Sequence, residues 1–453
     1  MKLKAFATLA IILSIACLFS QRAGAASAQF TPSLQIGYSW DDNVQAIDPD
    51  KITPIAVQWA NYFVGLDGSF KSRRLSLSLG GHAGYSEYVS STADLQKLVD
   101  MHVANLNYLN LNLIGDAQYL TPNMSFDLHD TLVRDRLFSQ VFGLQNNADF
   151  SDFYAYTDDT AFASWSFQGK SPITGLIQYT YQNTVFDNPT GNFVSKPADS
   201  IMNMIDAKFM YKLNPKADVG VDLQVAERLY GESIIRDEFG FERKQKISDY
   251  DYYQPLLDFD YKFSPKSTLT ASGGMQSRHF YSQPDDGPTL KDYSIPVVRI
   301  KYNQAQPFQY NWDVGAEYST NTYGIDLYYT YWQLSTELKY YIRKSLYLDG
   351  SFIYAQDTYS LSTNDLANVW AHNRLDNLYI AGASVNWDAL QKAGTPYLSF
   401  NLKYGFMKRD SNIDGKLDDY VTGYPGAFYS YNTQVNTIFA QVLFNPTVLI
   451  GQR

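Results

Sequence analysis

Tyr211-Lys212-Leu213-Asn214-Pro215-Lys216 is a short turn that returns as Tyr261-Lys262-Phe263-Ser264-Pro265-Lys266, and more loosely as Tyr119-Leu120-Thr121-Pro122-Asn123. Each copy follows an alternating segment that ends in an aromatic residue, and each precedes another alternating segment. Proline has no N–H to give to a sheet ladder, so it marks where one strand stops and the next starts. Prolines at 122, 172, 215, 265, 307 and 396 are separated by 50, 43, 50, 42 and 89 residues. Midway through the longest gap stands Arg343-Lys344-Ser345, a turn of the same kind without the proline. The spacing predicts a hairpin repeat of roughly 45 residues.

The segments between these turns alternate with period two. Ile205, Ala207, Phe209, Tyr211 and Leu213 oppose Asp206, Lys208 and Lys212. Val219, Val221 and Leu223 oppose Asp218, Gly220, Asp222 and Gln224; Leu257, Phe259, Tyr261 and Phe263 oppose Asp258, Asp260 and Lys262. The same pattern returns in Leu75–Gly80, Asn311–Ser319 and Leu398–Phe406. Apolar residues on one face and polar ones on the other suit a strand between lipid and water.

Short turns are expected near 72, 117–123, 170–173, 214–216, 264–267, 304–308, 343–345 and 391–396. Longer polar connections fall at roughly 41–56, 89–99, 134–157, 186–203, 229–250, 280–293, 320–327, 358–377 and 409–431. Eight turns join sixteen strands, and a first strand (Ser33–Trp40) and a last one (Asn436–Phe444) bring the total to about eighteen. The expected fold is all-β, a single transmembrane antiparallel up-and-down β-barrel. Nine residues, 445–453, follow Phe444, as an extension of the strand or a short tail.

The first residues predict export. Lys2 and Lys4 precede an apolar run from Ala5 to Phe19, and Ala26-Ser27-Ala28 supplies small residues before a cut at Gln29. Residues 1–28 read as a signal peptide and 29–453 as the barrel. The apolar run is too short for a membrane helix, and Cys17 sits in a poor match to a lipidation box. Cys17 is the only cysteine, so the exported chain is held together without disulfides. A first strand this near the cut leaves no room for an N-terminal plug or soluble extension.

Aromatic residues make up 16% of the chain, and no later apolar run is long enough for a membrane helix. A soluble β-sandwich or propeller of 453 residues would divide into several domains, whereas one repeat runs end to end here. Removing Lys2, Lys4 and Arg22 leaves 33 basic residues against 46 acidic ones, a net charge of −13. That balance argues against nucleic acid and anionic membrane surfaces as partners.

Candidate channel-lining residues are Asp206, Lys208, Asp218, Asp222, Asp258, Asp260, Arg299, Lys301, Asp313, Glu317, Glu337 and Lys339; Asp349, Lys212, Lys262 and Lys403 share their parity. A pore built to pull an anionic polymer through would line up Arg and Lys. This mixture reads instead as mutual ion pairs that stiffen the wall. Tyr329, Tyr331 and Tyr341 on the same parity offer faces for sugar rings.

Of the five histidines, none belongs to a His-x-x-x-His or His-Glu-x-x-His pair. His129-Asp130-Thr131 comes nearest to a hydrolase motif and reads more simply as polar lumen strand, so no enzyme is expected. The sharpest local motif is Asp410-Ser411-Asn412-Ile413-Asp414-Gly415-Lys416-Leu417-Asp418. Oxygen donors Asp410, Asn412, Asp414 and Asp418, with Lys416 through its carbonyl, match a Ca2+ loop; Val421 stands where a bidentate carboxylate belongs. An Asn/Asp/Gly-rich surface loop has the same composition.

An aromatic first strand running into Asp41-Asp42-Asn43-Val44, and the hairpin Tyr119-Leu-Thr-Pro-Asn-x-Ser-Phe-x-Leu128 that opens on the inner turn, together resemble the beta-barrel porin 2 family. The resemblance loosely covers most of the exported chain. It implies an outer-membrane barrel associated with exopolysaccharide production, and supplies no catalytic residues. The expected function is therefore a Gram-negative outer-membrane channel for surface-polysaccharide export, with lipid, polysaccharide and periplasmic export machinery as partners. A passive porin for small hydrophilic solutes and a surface adhesin or receptor barrel are the alternatives.

Overall fold

In a computed structural model of the chain, the described residues are 27–42, 56–89, 107–136, 155–168, 172–187, 198–236, 242–246, 249–281, 292–323, 327–360, 375–392, 395–412, 432–446 and 448–450. The first half contributes β1 (Ser27–Asp41), β2 (Val57–Lys71), β3 (Leu75–Tyr88), β4 (Tyr108–Leu120), β5 (Met124–Arg136), β6 (Ala155–Gln168), β7 (Ile173–Phe186), β8 (Ser200–Asn214) and β9 (Ala217–Tyr230). A small hairpin, β10 (Glu232–Arg236) and β11 (Glu242–Lys246), comes next. The second half is β12 (Tyr250–Ser264), β13 (Ser267–Phe280), β14 (Tyr293–Gln306), β15 (Tyr310–Tyr323), β16 (Leu327–Arg343), β17 (Leu346–Ser360), β18 (Leu375–Lys392), β19 (Thr395–Ser411), β20 (Thr433–Phe444) and β21 (Val448–Ile450).

Each long strand pairs antiparallel with its neighbours in sequence, and β9 pairs directly with β12. The ends meet: β1 pairs with β2 on one edge and with β20 and β21 on the other. With β20 and β21 taken as one interrupted strand, eighteen strands close into an up-and-down barrel. Closure removes the two free edges that an open sheet of this size would leave.

Register assigns the faces. Leu34, Ile36, Val64, Leu66, Leu128, Leu223, Leu257 and Leu402 are exposed on the outward face. Their neighbours of opposite parity point inward, and they are mostly Ser, Thr, Asn, Gln and charged residues. Apolar outside and polar inside is the reverse of a soluble barrel and the pattern that hydrocarbon surroundings require.

Strand ends bracket all eight expected short turns; β4 runs on to Leu120 and β14 to Gln306, so strand occupies part of the expected turns 117–123 and 304–308. The long connections lie at the other end. One difference from the sequence reading stands out. The expected loop 229–250 carries the β10–β11 hairpin, its strands joined from Glu232↔Lys246 to Arg236↔Glu242 and by a 3.1 Å Lys244–Glu232 ion pair. Of the two expectations for the residues after Phe444, extension of the strand holds, Val448–Ile450 running beside Phe30–Ala28. β1 starts at Ser27, ahead of the expected cut at Gln29, and residues 1–26 lie outside the described residues.

The closing seam is locked at the long-connection end. The Asp42 carboxylate accepts hydrogen bonds from the backbone N–H and the side-chain amide of Asn436, both at 2.6 Å. Asp41 and Asp42 therefore join the first strand to the last, and Asn43 and Val44 lie outside the described residues.

Candidate functional site: the inner wall of the barrel

All twelve residues singled out from the sequence stand at inward register positions, in two neighbouring sectors. The first sector spans β8, β9 and β12, where Lys208 pairs in register with Asp222 and Asp218 with Asp260. Two carboxylates directly opposite repel each other unless a cation intervenes. Lys262 lies 4.0 Å from Asp218, and Lys208 reaches two strands across to Asp258 at 2.5 Å. Asp258 is almost wholly shielded from water, so it depends on Lys208 for compensation.

The second sector spans β14 to β17. Arg299 Nε donates to Glu317 at 3.0 Å, and the Tyr331 hydroxyl donates to the same carboxylate oxygen at 3.0 Å. Lys301 stands 3.3 Å from Asp313, which lies in register opposite Glu337. Lys339 lies opposite Asp349 and places its ammonium 3.9 Å from the centre of the Tyr347 ring. Here the positive and negative side chains are matched almost one for one.

Toward the long connections the inner wall changes character. Asp206, Gln224, Gln254, Gln276 and Arg278 form one hydrogen-bonded belt over β8, β9, β12 and β13. Gln224 donates to Asp206 at 3.2 Å, Gln254 to Gln224 at 2.9 Å, Gln276 to Gln254 at 2.7 Å and Arg278 to Gln276 at 3.0 Å. The Arg278 guanidinium also lies 4.9 Å from the Tyr250 ring centre and about 6 Å from those of Tyr252 and Tyr293. Inward side chains at this level are shielded: Gln254 is 1% exposed, and Ser86 and Asp376 are 0%. Nearer the short turns they are open, Lys301 at 61% and Lys262 at 54%. Alternation reveals which face a Gln occupies but not that three of them stack in adjacent strands, so the belt was missed.

Three histidines each meet an aspartate from a neighbouring segment: His82 with Asp67 at 2.9 Å, His129 with Asp116 at 2.5 Å and His279 with Asp292 at 2.5 Å. At the barrel's rim, hydrogen bonds from His279 and from the Phe280 N–H hold the Asp292 carboxyl below the usual carboxylate range. His129 further meets the Thr131 hydroxyl at 2.6 Å, giving a carboxylate–imidazole–hydroxyl order. Asp130, its sequence neighbour, takes the opposite parity and faces outward. The order is that of a hydrolase relay, yet hydrolysis also needs free N–H donors for an oxyanion. On both sides of β5 the backbone is committed to unbroken ladders with β4 and β6. The His82–Asp67 pair repeats the carboxylate–imidazole contact without a hydroxyl, which fits a cross-strand wall contact rather than a reaction centre.

Of the calcium-type loop, Asp410 belongs to β19 and pairs with Lys408 at 2.9 Å, and the Asn412 side chain accepts from the Leu375 N–H at 2.8 Å. Asp414, Lys416 and Asp418 lie outside the described residues.

The short turns form the opposite rim. Lys71-Ser72-Arg73-Arg74, Lys212 to Lys216, Lys262 to Lys266 and Arg343-Lys344 all carry cations, and no Asp or Glu lies within them. Between β14 and β15, Phe308 adopts φ 56°, a left-handed conformation that residues other than glycine rarely take, and it is 61% exposed. Lys344 lies 4.7 Å from the centre of that ring, and the rings of Phe308, Tyr341 and Tyr347 follow one another at 6.4 and 5.5 Å.

No family model and no curated protein matches the chain, so the likeness to the beta-barrel porin 2 family remains one of motifs. Solved structures similar to it include the copper transporter OprC, at 10% identity, covering 94% of this chain and 81% of that one, with a TM-score of 0.48. Pseudomonas aeruginosa OpdK with vanillate is 9% identical over 93% of this chain and 99% of its own, with a TM-score of 0.45. Acinetobacter baumannii OccAB4 is 12% identical over 93% and 98%, with a TM-score of 0.43.

Proposed function

We propose that the chain is a channel of the Gram-negative outer membrane that passes surface polysaccharide outward. The observation that carries this reading is the gradient of exposure along the inner wall. Charged side chains are open to water near the short turns, which are the periplasmic side of such barrels. They are shielded near the long connections. A tube open at the periplasmic end and occluded toward the surface suits a polymer that enters from inside and leaves through a gated end. Amides, hydroxyls and tyrosines on the inner face supply the polar partners and flat apolar surfaces that sugar rings take up. Export also fits the motif resemblance and requires periplasmic machinery to deliver the chain.

The passive porin for small hydrophilic solutes has one observation in its favour. The paired charges from β14 to β17 leave little fixed field, as a general diffusion pore would have. Planar-bilayer recording separates the readings. The exporter predicts small or intermittent conductance that widens when a periplasmic partner is supplied. A large, constant conductance from the isolated barrel would establish the porin instead. Absence of conductance under every condition would leave the surface-binding barrel.

A further inference from the structure

The inner wall does not line up cations, but the periplasmic rim does. We propose that this rim is the capture site for the glycan, and that the glycan is acidic. The inference rests on the export reading above and names its substrate class.

Charge is distributed along the axis rather than around it. Within a strongly acidic chain, the four cationic turns named above contain no carboxylate, while Asp and Glu outnumber Lys and Arg in the segments joining strands at the other end. A rim of one sign raises the local concentration of the opposite sign, by about 10- to 1,000-fold in on-rate for well-focused fields. An anionic polymer is thereby concentrated at the periplasmic mouth rather than at the surface mouth.

The second, independent observation is the aromatic platform at the same rim. Phe308 takes the left-handed position of the turn closed by the Gln309 N–H on the Gln306 carbonyl, where glycine would avoid a cost on the order of 1–3 kcal/mol, and it remains 61% exposed. Beside it run Tyr341 and Tyr347, and the ammonium groups of Lys344 and Lys339 sit over rings of this row. Flat rings alternating with ammonium groups match an acidic sugar chain, whose ring faces stack and whose carboxylates pair. Within the barrel the cations are already matched by carboxylates, so the polymer is held at the entrance and released along the wall. Conduction needs that combination of favourable entry and weak retention.

The test is block of single-channel current by polygalacturonate, with neutral dextran as the comparison, added to either side of oriented channels. The expected result is block by polygalacturonate at a concentration at least about tenfold lower from the short-turn side than from the long-loop side. A triple variant, Lys216→Gln, Lys266→Gln and Lys344→Gln, is expected to abolish that difference. Phe308→Gly, in which glycine accepts φ 56° without strain, is expected to weaken block by both polymers. Equal block of wild type and triple variant, or equal block from the two sides, overturns the capture site. If dextran still enters in that case, the export reading stands without it; if neither polymer enters, the export reading itself fails. The recordings are repeated in zwitterionic bilayers and in bilayers containing anionic lipid. Loss of the difference in anionic lipid assigns the lysines to headgroups and also overturns the proposal.

Discussion

Gln276 donates its side-chain amide to Gln254 at 2.7 Å beside Pro255, where the backbone ladder between β12 and β13 skips from Tyr253↔Ser277 to Leu256↔Gly274. Proline has no N–H to offer there. Close backbone approach accompanies the gap: a Cβ on Gly274 would stand 2.0 Å from the Pro255 carbonyl oxygen. The glutamine belt thus bridges a break in the sheet with side-chain amides. Replacing Gln254 with Leu leaves Gln276 without its acceptor and Gln224 without its donor in a shielded part of the wall. The expected loss is about 1–3 kcal/mol for each group left unsatisfied. Gln254→Leu with Gln276→Leu is expected to cost less than the sum of the two single changes, because partners removed together strand fewer polar groups. Urea-unfolding midpoints of the refolded barrel measure both.

Period-two alternation made the outward face readable because lipid tolerates no exceptions in long runs such as Leu257, Phe259, Tyr261 and Phe263. The inner turns were readable for a related reason, since Pro215 and Pro265 cannot donate inside a ladder. What alternation cannot carry is contact between strands. Asp116 and His129 meet because of register, and so do Lys208 and Asp258, two strands apart. The β10–β11 hairpin was hidden because its residues are charged on both faces, as a hairpin outside the membrane permits. The shielding of Gln254 and Asp376 was equally invisible, because the sequence gives an inward side chain its face and not its depth.

Asp42 and Asn436 are 394 residues apart in sequence and close the barrel seam with two hydrogen bonds. Bonds to an ionised acceptor contribute about 1.5–3 kcal/mol each at most. Asp42→Ala is expected to lower the temperature at which the folded barrel converts to the slower-migrating unfolded form on semi-native gels. Asn436→Ala keeps the backbone donor and should lose about half as much. An unchanged conversion temperature in Asp42→Ala would remove the seam from the factors that stabilise closure.

Arg409 and Asp376 face each other at 4.0 Å on β19 and β18, with 2% and 0% of their side chains exposed. In register, Asp376 also lies opposite the buried Asp357. Removing the guanidinium therefore takes a cation away from two buried carboxylates. Arg409→Met is expected to cost about 3–5 kcal/mol, the range for breaking a buried pair. Arg409→Met combined with Asp376→Leu should recover much of that loss, since apolar replacements of a whole buried pair are often neutral. A double-mutant cycle on unfolding free energies measures the coupling. A coupling near zero would show that other contacts of these two residues, and not their attraction, hold this corner.

Lys208 reaches from β8 over β9 to the shielded carboxylate of Asp258, crossing a sector that also holds Asp206, Asp222 and Asp260. Removing that one cation changes the local field more than removing any of the carboxylates, because three acids are then left with the stranded Asp258. Lys208→Gln is expected to shift the reversal potential in a KCl gradient toward cation selectivity. Asp258→Asn is expected to shift it the other way by a smaller amount, since Lys208 then turns to Asp222, its partner in register. The double variant should return close to the wild-type value. Salt dependence supplies the control: the shift should shrink between 0.1 M and 1 M KCl, where the screening length falls from about 10 Å to about 3 Å. Reversal potentials that do not move in Lys208→Gln would place this sector outside the path that ions follow.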